Sequence, residues 1–109
     1  MDEALAVVAL AALAQGMRLQ IFRALIGAGP AGMTPGVLSA MLDVPASTLS
    51  FHLKELMHAE LVSQQRDGRN LIYRPGIGHM NDLLAYLTAH CCQGADCGIS
   101  VAPDGISCP

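Results

Sequence analysis

The sequence predicts a mainly α domain that carries one two-stranded β-hairpin. Its 109 residues are enough for one small domain. Hydrophobic residues make up 52% of the chain but aromatic residues only 4%, with no tryptophan, so the core is built from Ala, Leu, Val, Ile and Met. This composition favours helices. The dipeptide Asp67-Gly68 lies between two short runs, 61–66 and 71–74, and such a dipeptide is typical of a tight hairpin turn.

Glycine and proline divide the rest of the chain into five predicted helices. The proline-free opening segment is interpreted as two helices that break near Gly16. Thr34-Pro35 and Pro45 are typical helix starts, because threonine caps a helix and proline is tolerated in its first turn. The first predicted helix begins at Asp2 and ends near Gly16. The others are Met17 to Ile26, Thr34 to about Leu42, Pro45 to about Ala59, and His79 to about His90.

The fourth predicted helix has one apolar side and one polar side. At 100° per residue its apolar stripe consists of Leu49, Leu53, Leu56 and Met57. The opposite side is polar except for Phe51, and an exposed aromatic ring is costly unless something covers it. Phe51 is therefore expected either to touch a thymine methyl group or to pack under the N-terminal helix. His52 lies nearer the apolar stripe and is predicted to be a packing residue.

Two helices joined by a short turn and followed by a hairpin form a winged helix-turn-helix. The second helix of this unit enters the DNA major groove, and the hairpin reaches the flanking backbone. The predicted DNA-binding residues are Ser47, Thr48, Ser50, Phe51 and Lys54 on the helix, with Arg66 and Arg69 on the hairpin. The formal charge of −3 argues against a uniformly basic protein, but the acidic residues lie mostly outside segment 44–74. A winged helix that contacts proteins is the alternative.

Other classes of protein fit the sequence poorly. The apolar stretch from Ala4 to Ala14 is eleven residues long, whereas a membrane span needs about 20. Asp2 and Glu3 precede it, the reverse of the basic start of a signal peptide, so we expect a cytoplasmic protein without a membrane partner. No nucleophile, base and orienting group occur together, and no glycine-rich phosphate loop follows a strand. The sequence does not predict an enzyme.

All four cysteines, Cys91, Cys92, Cys97 and Cys108, fall in the last nineteen residues. In a reducing compartment such a cluster indicates a metal or redox site more than a disulfide framework. The chain is therefore divided into a helical domain, 1–90, and a cysteine-containing flexible C-terminal tail, 91–109.

The helix and hairpin residues resemble those of a known family. Segment 46–62, followed by Arg66-Asp-Gly-Arg69 and Tyr73, resembles the recognition helix and wing of the ArsR/SmtB metal-responsive repressors. Segment 11–25 is similar to that family's second helix, with Gln15-Gly16 where Asp-Pro or Asp-Glu is commoner. The resemblance implies a homodimer formed through the first and last helices, a double-stranded operator with two-fold symmetry, and release from DNA when a ligand binds.

The ligand sites of that family are matched unevenly. The Cys-x-Cys pair of arsenic sensors is absent from 34–42, and the zinc pattern of the last helix is half present, with His79 and His90 but with Ile77 and Gln93 at the other ligand positions. Cys91-Cys92-x4-Cys97 resembles the relocated trivalent-arsenic site of some members. Arsenic and antimony in this state are soft centres that take three thiolates, and the preference of soft ions for cysteine sulfur is general.

The resemblance thus predicts a repressor that leaves DNA when trivalent arsenic or antimony binds Cys91, Cys92 and Cys97. A zinc, cadmium or lead sensor that uses these thiols with His90 is one alternative, and a redox-sensing protein is another. His79 and His90 are otherwise expected to be solvated residues at helix ends, and Cys108 is expected to be dispensable.

Overall fold

Five α-helices and one β-hairpin follow one another in the computed structural model, which describes residues 1–90. The elements are α1 (Glu3–Leu13), α2 (Gly16–Ala28), α3 (Pro35–Leu42), α4 (Ala46–His58), β1 (Val62–Asp67), β2 (Asn70–Pro75) and α5 (Ile77–Thr88), with one 3-10 turn at Gly29–Ala31. The predicted mainly α winged helix-turn-helix is confirmed. The last helix begins and ends two residues earlier than the sequence predicted, because Gly76 rather than a later residue precedes its first turn.

Side-chain caps set the start of three helices. Oδ1 of Asp2 accepts a hydrogen bond from the Leu5 amide at 2.9 Å, and Thr34 caps α3 in the same way. At α2 the cap is Gln15, whose Oε1 accepts from the Arg18 amide at 2.8 Å. The Nε of Arg18 in turn donates to the Ala12 carbonyl at 2.6 Å. These two bonds hold the corner that the sequence placed near Gly16.

The turn between α3 and α4 fixes the helix-turn-helix unit. Asp43 has a φ of 52°, a left-handed conformation that aspartate adopts more readily than most residues. The hydroxyl of Ser39 donates to the Val44 carbonyl, and the Val44 amide donates to the Ser39 carbonyl at 3.1 Å. Pro45 then precedes α4 with an extended ψ of 147°. The turn therefore sets the direction in which α4 leaves α3.

Leucine side chains from α2, α3, α4, α5 and the segment before β1 meet in one core. The almost completely buried side chains of this core are Leu25, Leu38, Leu49, Leu53, Leu56, Leu61, Leu83 and Ile21. Phe22 and Tyr73 are the aromatic residues in this core. Because α4 contributes three of the leucines, its position relative to the other helices is set by packing.

The hairpin is antiparallel and is attached to the body at its base. Val62 pairs with Pro75 and Asp67 with Asn70, which leaves Gly68 and Arg69 as the two loop residues. Asp67, which was predicted to lie in the turn, is instead the last residue of β1, and Asn70 is the first residue of β2. Gly68 has a φ of +63° at the first loop position, where hairpin turns favour glycine.

A short bridge joins the base of the hairpin to the segment that precedes α3. Met33 and Tyr73 exchange two backbone hydrogen bonds, of 3.0 and 2.8 Å. Gly32 makes this approach possible: its φ is +69°, and an added Cβ would lie 2.6 Å from the Tyr73 carbonyl oxygen. Any other residue at this position would be strained and would push the bridge apart.

Within residues 1–90 no single helix is long and apolar enough to cross a membrane. Helix α1 and the segment Gly16–Ala31 are together long and apolar enough for a span, but the chain bends by 97° between them.

Candidate nucleic-acid interface

The exposed side of α4 is the central feature of the site. Its buried side consists of Leu49, His52, Leu53 and Leu56. All five residues that the sequence assigned to the DNA-binding side of this helix are exposed: Ser47, Thr48, Ser50, Phe51 and Lys54. We call these five residues the reading face. It combines three hydroxyl groups, one ammonium group and one phenyl ring, and is therefore able to donate, accept and make apolar contact at base edges.

Phe51 and His52 are neighbours with opposite environments. The Phe51 side chain is 57% exposed, whereas His52 is 9% exposed and packs in the interior. The rings lie edge to face, with centroids 5.4 Å apart and an angle of 67° between their planes. Within the described residues Phe51 does not pack under the N-terminal helix, so one of its two predicted environments is absent. His52 is a packing residue, as predicted, although its Nδ1 is buried without a hydrogen-bond partner within residues 1–90.

The hairpin carries two exposed arginines that form no ion pair within residues 1–90. Arg66 lies near the end of β1 and Arg69 in the loop, and both are exposed. The whole of β1 after Val62 is exposed as well. An exposed hairpin with arginines at its tip can contact phosphate oxygens, which attract cations irrespective of base sequence.

Arg74, the third arginine of the hairpin, has a different role. Its Nε donates to the Pro30 carbonyl at 2.8 Å, and one terminal nitrogen donates to Oε1 of Gln65 at 2.6 Å. It therefore ties the base of the wing to the turn after α2. Arg74 lies in the same hairpin sequence as Arg66 and Arg69, and the sequence alone does not distinguish it from them, because its main partner is 44 residues away.

The histidines considered as metal ligands lie within the described residues, whereas the cysteines do not. His79 was expected to be a solvated residue, but it is partly buried, and its Nδ1 lies 3.6 Å from Oε2 of Glu60. His90 is exposed at the end of the described chain. Across residues 1–90 no three His, Cys, Asp or Glu side chains are grouped closely enough to hold a metal ion. The predicted ligands Cys91, Cys92 and Cys97 lie outside the described residues.

The first and last helices, α1 and α5, present apolar side chains to solvent. The exposed large apolar residues of α1 and α5 are Leu5, Val7, Val8, Leu10, Tyr86 and Leu87. The two helices are also in contact with each other. A group of exposed apolar side chains on two helices that contact each other is a candidate interaction surface.

The fold and the reading face define a winged helix-turn-helix transcriptional regulator that binds DNA. A helix-turn-helix domain family matches residues 13–65. The chain belongs to the ArsR/SmtB family of winged-helix regulators, of the ArsR/HlyU type. It is 33% identical to HlyU from Vibrio cholerae, with a TM-score of 0.63 over 80% of this chain and 97% of that one.

Two further solved structures are similar. An ArsR-like transcriptional regulator from Rhodococcus is 27% identical, with a TM-score of 0.69 over 77% of this chain and 76% of that one. The homodimeric winged helix-turn-helix DNA-binding domain of a possible ArsR-family regulator from Mycobacterium bovis is 25% identical, with a TM-score of 0.65 over 78% and 76%. A search of curated protein sequences gave no significant match. These similar structures are those of transcriptional regulators and DNA-binding domains, not of enzymes.

Proposed function

We propose that this protein is a cytoplasmic repressor that binds a two-fold symmetric operator as a homodimer and leaves it when trivalent arsenic or antimony binds Cys91, Cys92 and Cys97. The observation that carries the DNA-binding part is the exposed reading face of α4 beside a hairpin with two exposed arginines. Ser47, Thr48, Ser50, Phe51 and Lys54 approach base edges, while Arg66 and Arg69 contact phosphates.

The homodimer forms through α1 and α5. Two observations support this arrangement: these helices expose six large apolar side chains, and a similar domain from Mycobacterium bovis is homodimeric. A two-fold dimer presents its two recognition helices to successive major grooves, about 34 Å apart along the duplex. A change in the angle between the subunits alters that spacing and removes contacts from at least one half-site.

The arsenic part rests on the position of the thiols in the sequence. Cys91 follows the last residue of α5, Thr88, by three positions, and three of the four cysteines of the chain fall within seven residues. Binding of a soft ion by these thiolates reorganises the chain directly after the dimer-forming helix. Because the ligands are thiolates, binding releases protons. By reciprocity, operator DNA lowers the affinity for arsenic by the factor by which arsenic lowers the affinity for DNA.

The test joins a DNA measurement to a thiolate measurement. A duplex is first selected from a pool with a random 30-base-pair centre by the reduced, full-length protein. Arsenite is then titrated into the complex while fluorescence anisotropy follows DNA release and ultraviolet absorbance follows thiolate-to-arsenic bands. We expect the bands and the release to appear at the same arsenite concentrations. Bands without release, or release without bands, contradict the proposed coupling.

Single serine variants then assign the ligands. Cys91→Ser, Cys92→Ser and Cys97→Ser each lose arsenite-driven release, whereas Cys108→Ser, the matched control from the same tail, keeps it. If only two of the three are required, a methylated trivalent arsenical with two open valences is the better inducer. If the variant lacking all four thiols still releases DNA with arsenite, the metalloid assignment is wrong while the DNA-binding assignment stands.

A further inference from the structure

Phe51 is a large apolar side chain that lies exposed among the polar residues of the reading face. It is 57% exposed, although Leu49 and Leu53 on the same helix are almost completely buried. At 100° per residue Phe51 lies between Thr48, about 60° to one side around the helix axis, and Ser47 and Lys54, about 40° and 60° to the other, so it is inside the reading face. A phenyl ring left in water at this position forgoes the free energy that burial would supply. Contact with an apolar partner would recover this free energy.

The Phe51 ring lies against the ring of its neighbour His52. The buried imidazole contacts the Phe51 ring edge to face, at 5.4 Å between centroids, and this is a preferred arrangement for aromatic pairs. Because His52 is fixed by packing on the interior side of α4, the phenyl ring rests against a rigid neighbour.

The N-terminal helix is not that partner in the described chain. Helix α1 borders the C-terminal half of α4, where Val8, Ala11 and Ala12 line a cleft together with Glu55, His58 and Ala59. Phe51 is not among the residues of this cleft. The major groove offers a different apolar group at a fixed position, the 5-methyl group of thymine, and phenylalanine is one of the side chains that contact it.

We propose that Phe51 contacts the 5-methyl group of a thymine in each operator half-site, and that this contact selects thymine at that position. The inference rests on the proposed DNA-binding function and adds to it a base and a residue. Phe51 is the largest apolar group of the reading face, and the hydroxyl groups of Ser47 and Ser50 pair with several bases. Thr48 carries a smaller methyl group that can also contact thymine, so the variants of Phe51 are needed to assign the selection.

The experiment removes only the methyl group. In the duplex selected from the random pool, each thymine is replaced in turn, symmetrically in both half-sites, by deoxyuridine, and the affinity of the unmodified protein is measured. We expect one position at which the affinity falls about fourfold for each methyl group lost from a contact, the factor that corresponds to burial of one such carbon. This scan uses the native protein and does not depend on whether a variant folds.

Variants then assign the effect to Phe51. Phe51→Ser binds the thymine duplex more weakly and no longer distinguishes thymine from deoxyuridine at the sensitive position. Met41→Ser, which removes an equally exposed apolar side chain from α3, keeps the distinction. Phe51→Leu retains an apolar group and keeps part of it.

The remaining outcomes overturn the inference in separable ways. A selected half-site that lacks thymine, a scan without a sensitive position, or a Phe51→Ser variant that still distinguishes the two duplexes contradicts the contact, while the DNA-binding function stands. Loss of dimer in Phe51→Ser together with a flat scan shows instead that the ring packs on a second copy. If the protein selects no duplex at all, the proposed function fails, and the inference fails with it.

Discussion

The Arg74 guanidinium donates from Nε to the Pro30 carbonyl across 2.8 Å, which joins the wing to the turn after α2. Arg69, five residues earlier, lies exposed in the two-residue loop of the same hairpin. Two arginines of one wing therefore have different tasks: one holds the hairpin at its base, and the other is available to phosphate at its tip. The two tasks have different experimental signatures.

The salt dependence of DNA binding separates them. Each phosphate contact adds about 0.9 to the slope of log affinity against log salt concentration. Arg69→Gln, at two copies per dimer, is expected to reduce that slope by about 2 and to leave the melting temperature unchanged. Arg66→Gln behaves in the same way. The measurement is binding to one duplex at several salt concentrations, with thermal denaturation of the free protein beside it.

Arg74→Gln is expected to give the reverse pattern. It loses the bonds to Pro30 and Gln65, so the free energy of unfolding falls by about 1–2 kcal/mol. The salt slope at a temperature where the variant is folded stays close to that of the unmodified protein. A reduced slope with unchanged stability would show that Arg74 contacts phosphate and that its bonds to the body contribute nothing.

The close approach at Gly32 predicts a large loss of stability from a single methyl group. Gly32→Ala places a Cβ 2.6 Å from the Tyr73 carbonyl oxygen at a φ of +69°, so both the backbone conformation and the Met33–Tyr73 bridge are disturbed. We expect a loss of at least about 2 kcal/mol in the free energy of unfolding. Gly27→Ala is the matched control, because Gly27 lies in α2 with nothing within 4 Å of an added Cβ.

The control variant Gly27→Ala is expected to be more stable than the unmodified protein. Alanine inside a helix is more stable than glycine by about 0.5–1 kcal/mol, so Gly27→Ala raises the free energy of unfolding. The measurement is the midpoint of urea or thermal denaturation. If the two variants are equally destabilised, the close approach at Gly32 is not the cause.

The elements that the sequence predicted well are those that depend on local pattern. The apolar stripe of α4 repeats at helical spacing, and residues such as Leu49 and Leu53 are buried as that spacing requires. Gly68 marks the hairpin loop because a positive φ is needed there. The environment of Arg74 was not predictable in this way, since its partner is brought near by the fold as a whole. His79 is a second case: its contact with Glu60 depends on how α5 meets the end of α4.

The exposure of Phe51 was predictable from the sequence, but the group that it contacts was not. Periodicity placed Phe51 on the outer side of α4, and the structure leaves it there. Periodicity alone could not decide between the N-terminal helix and a base, because that choice depends on where α1 crosses α4. Helix α1 meets the C-terminal half of α4, and this is a property of the corner between α1 and α2.

That corner contains a cap that can be improved. Gln15 caps α2 through Oε1, at 2.8 Å from the Arg18 amide nitrogen. Aspartate is a stronger N-cap and adds a negative charge at the positive end of the helix, so Gln15→Asp is expected to raise the free energy of unfolding by about 0.5–1 kcal/mol. Gln20→Asp, an exposed position inside α2, lowers it by a few tenths of a kcal/mol, because aspartate is a poor residue for a helix interior. Equal losses in both variants would show that the cap does not stabilise α2.

The exposed apolar residues of α1 and α5 make the last prediction, which concerns assembly. If these helices form the dimer, a charge placed among them is buried without a partner in the interface, and removal of an ion from water is costly. Leu87→Glu is expected to weaken the dimer at least about tenfold, with the fold retained because Leu87 is 53% exposed in the protomer. Val37→Glu introduces the same charge at a residue of α3 that is 52% exposed, and it leaves the dimer intact. Sedimentation equilibrium measures the mass against the 11.4-kDa monomer, and circular dichroism confirms the helices. A monomeric Val37→Glu variant beside a dimeric Leu87→Glu variant would move the interface to α3, and the recognition helices of the dimer would then be spaced by a different pair of surfaces.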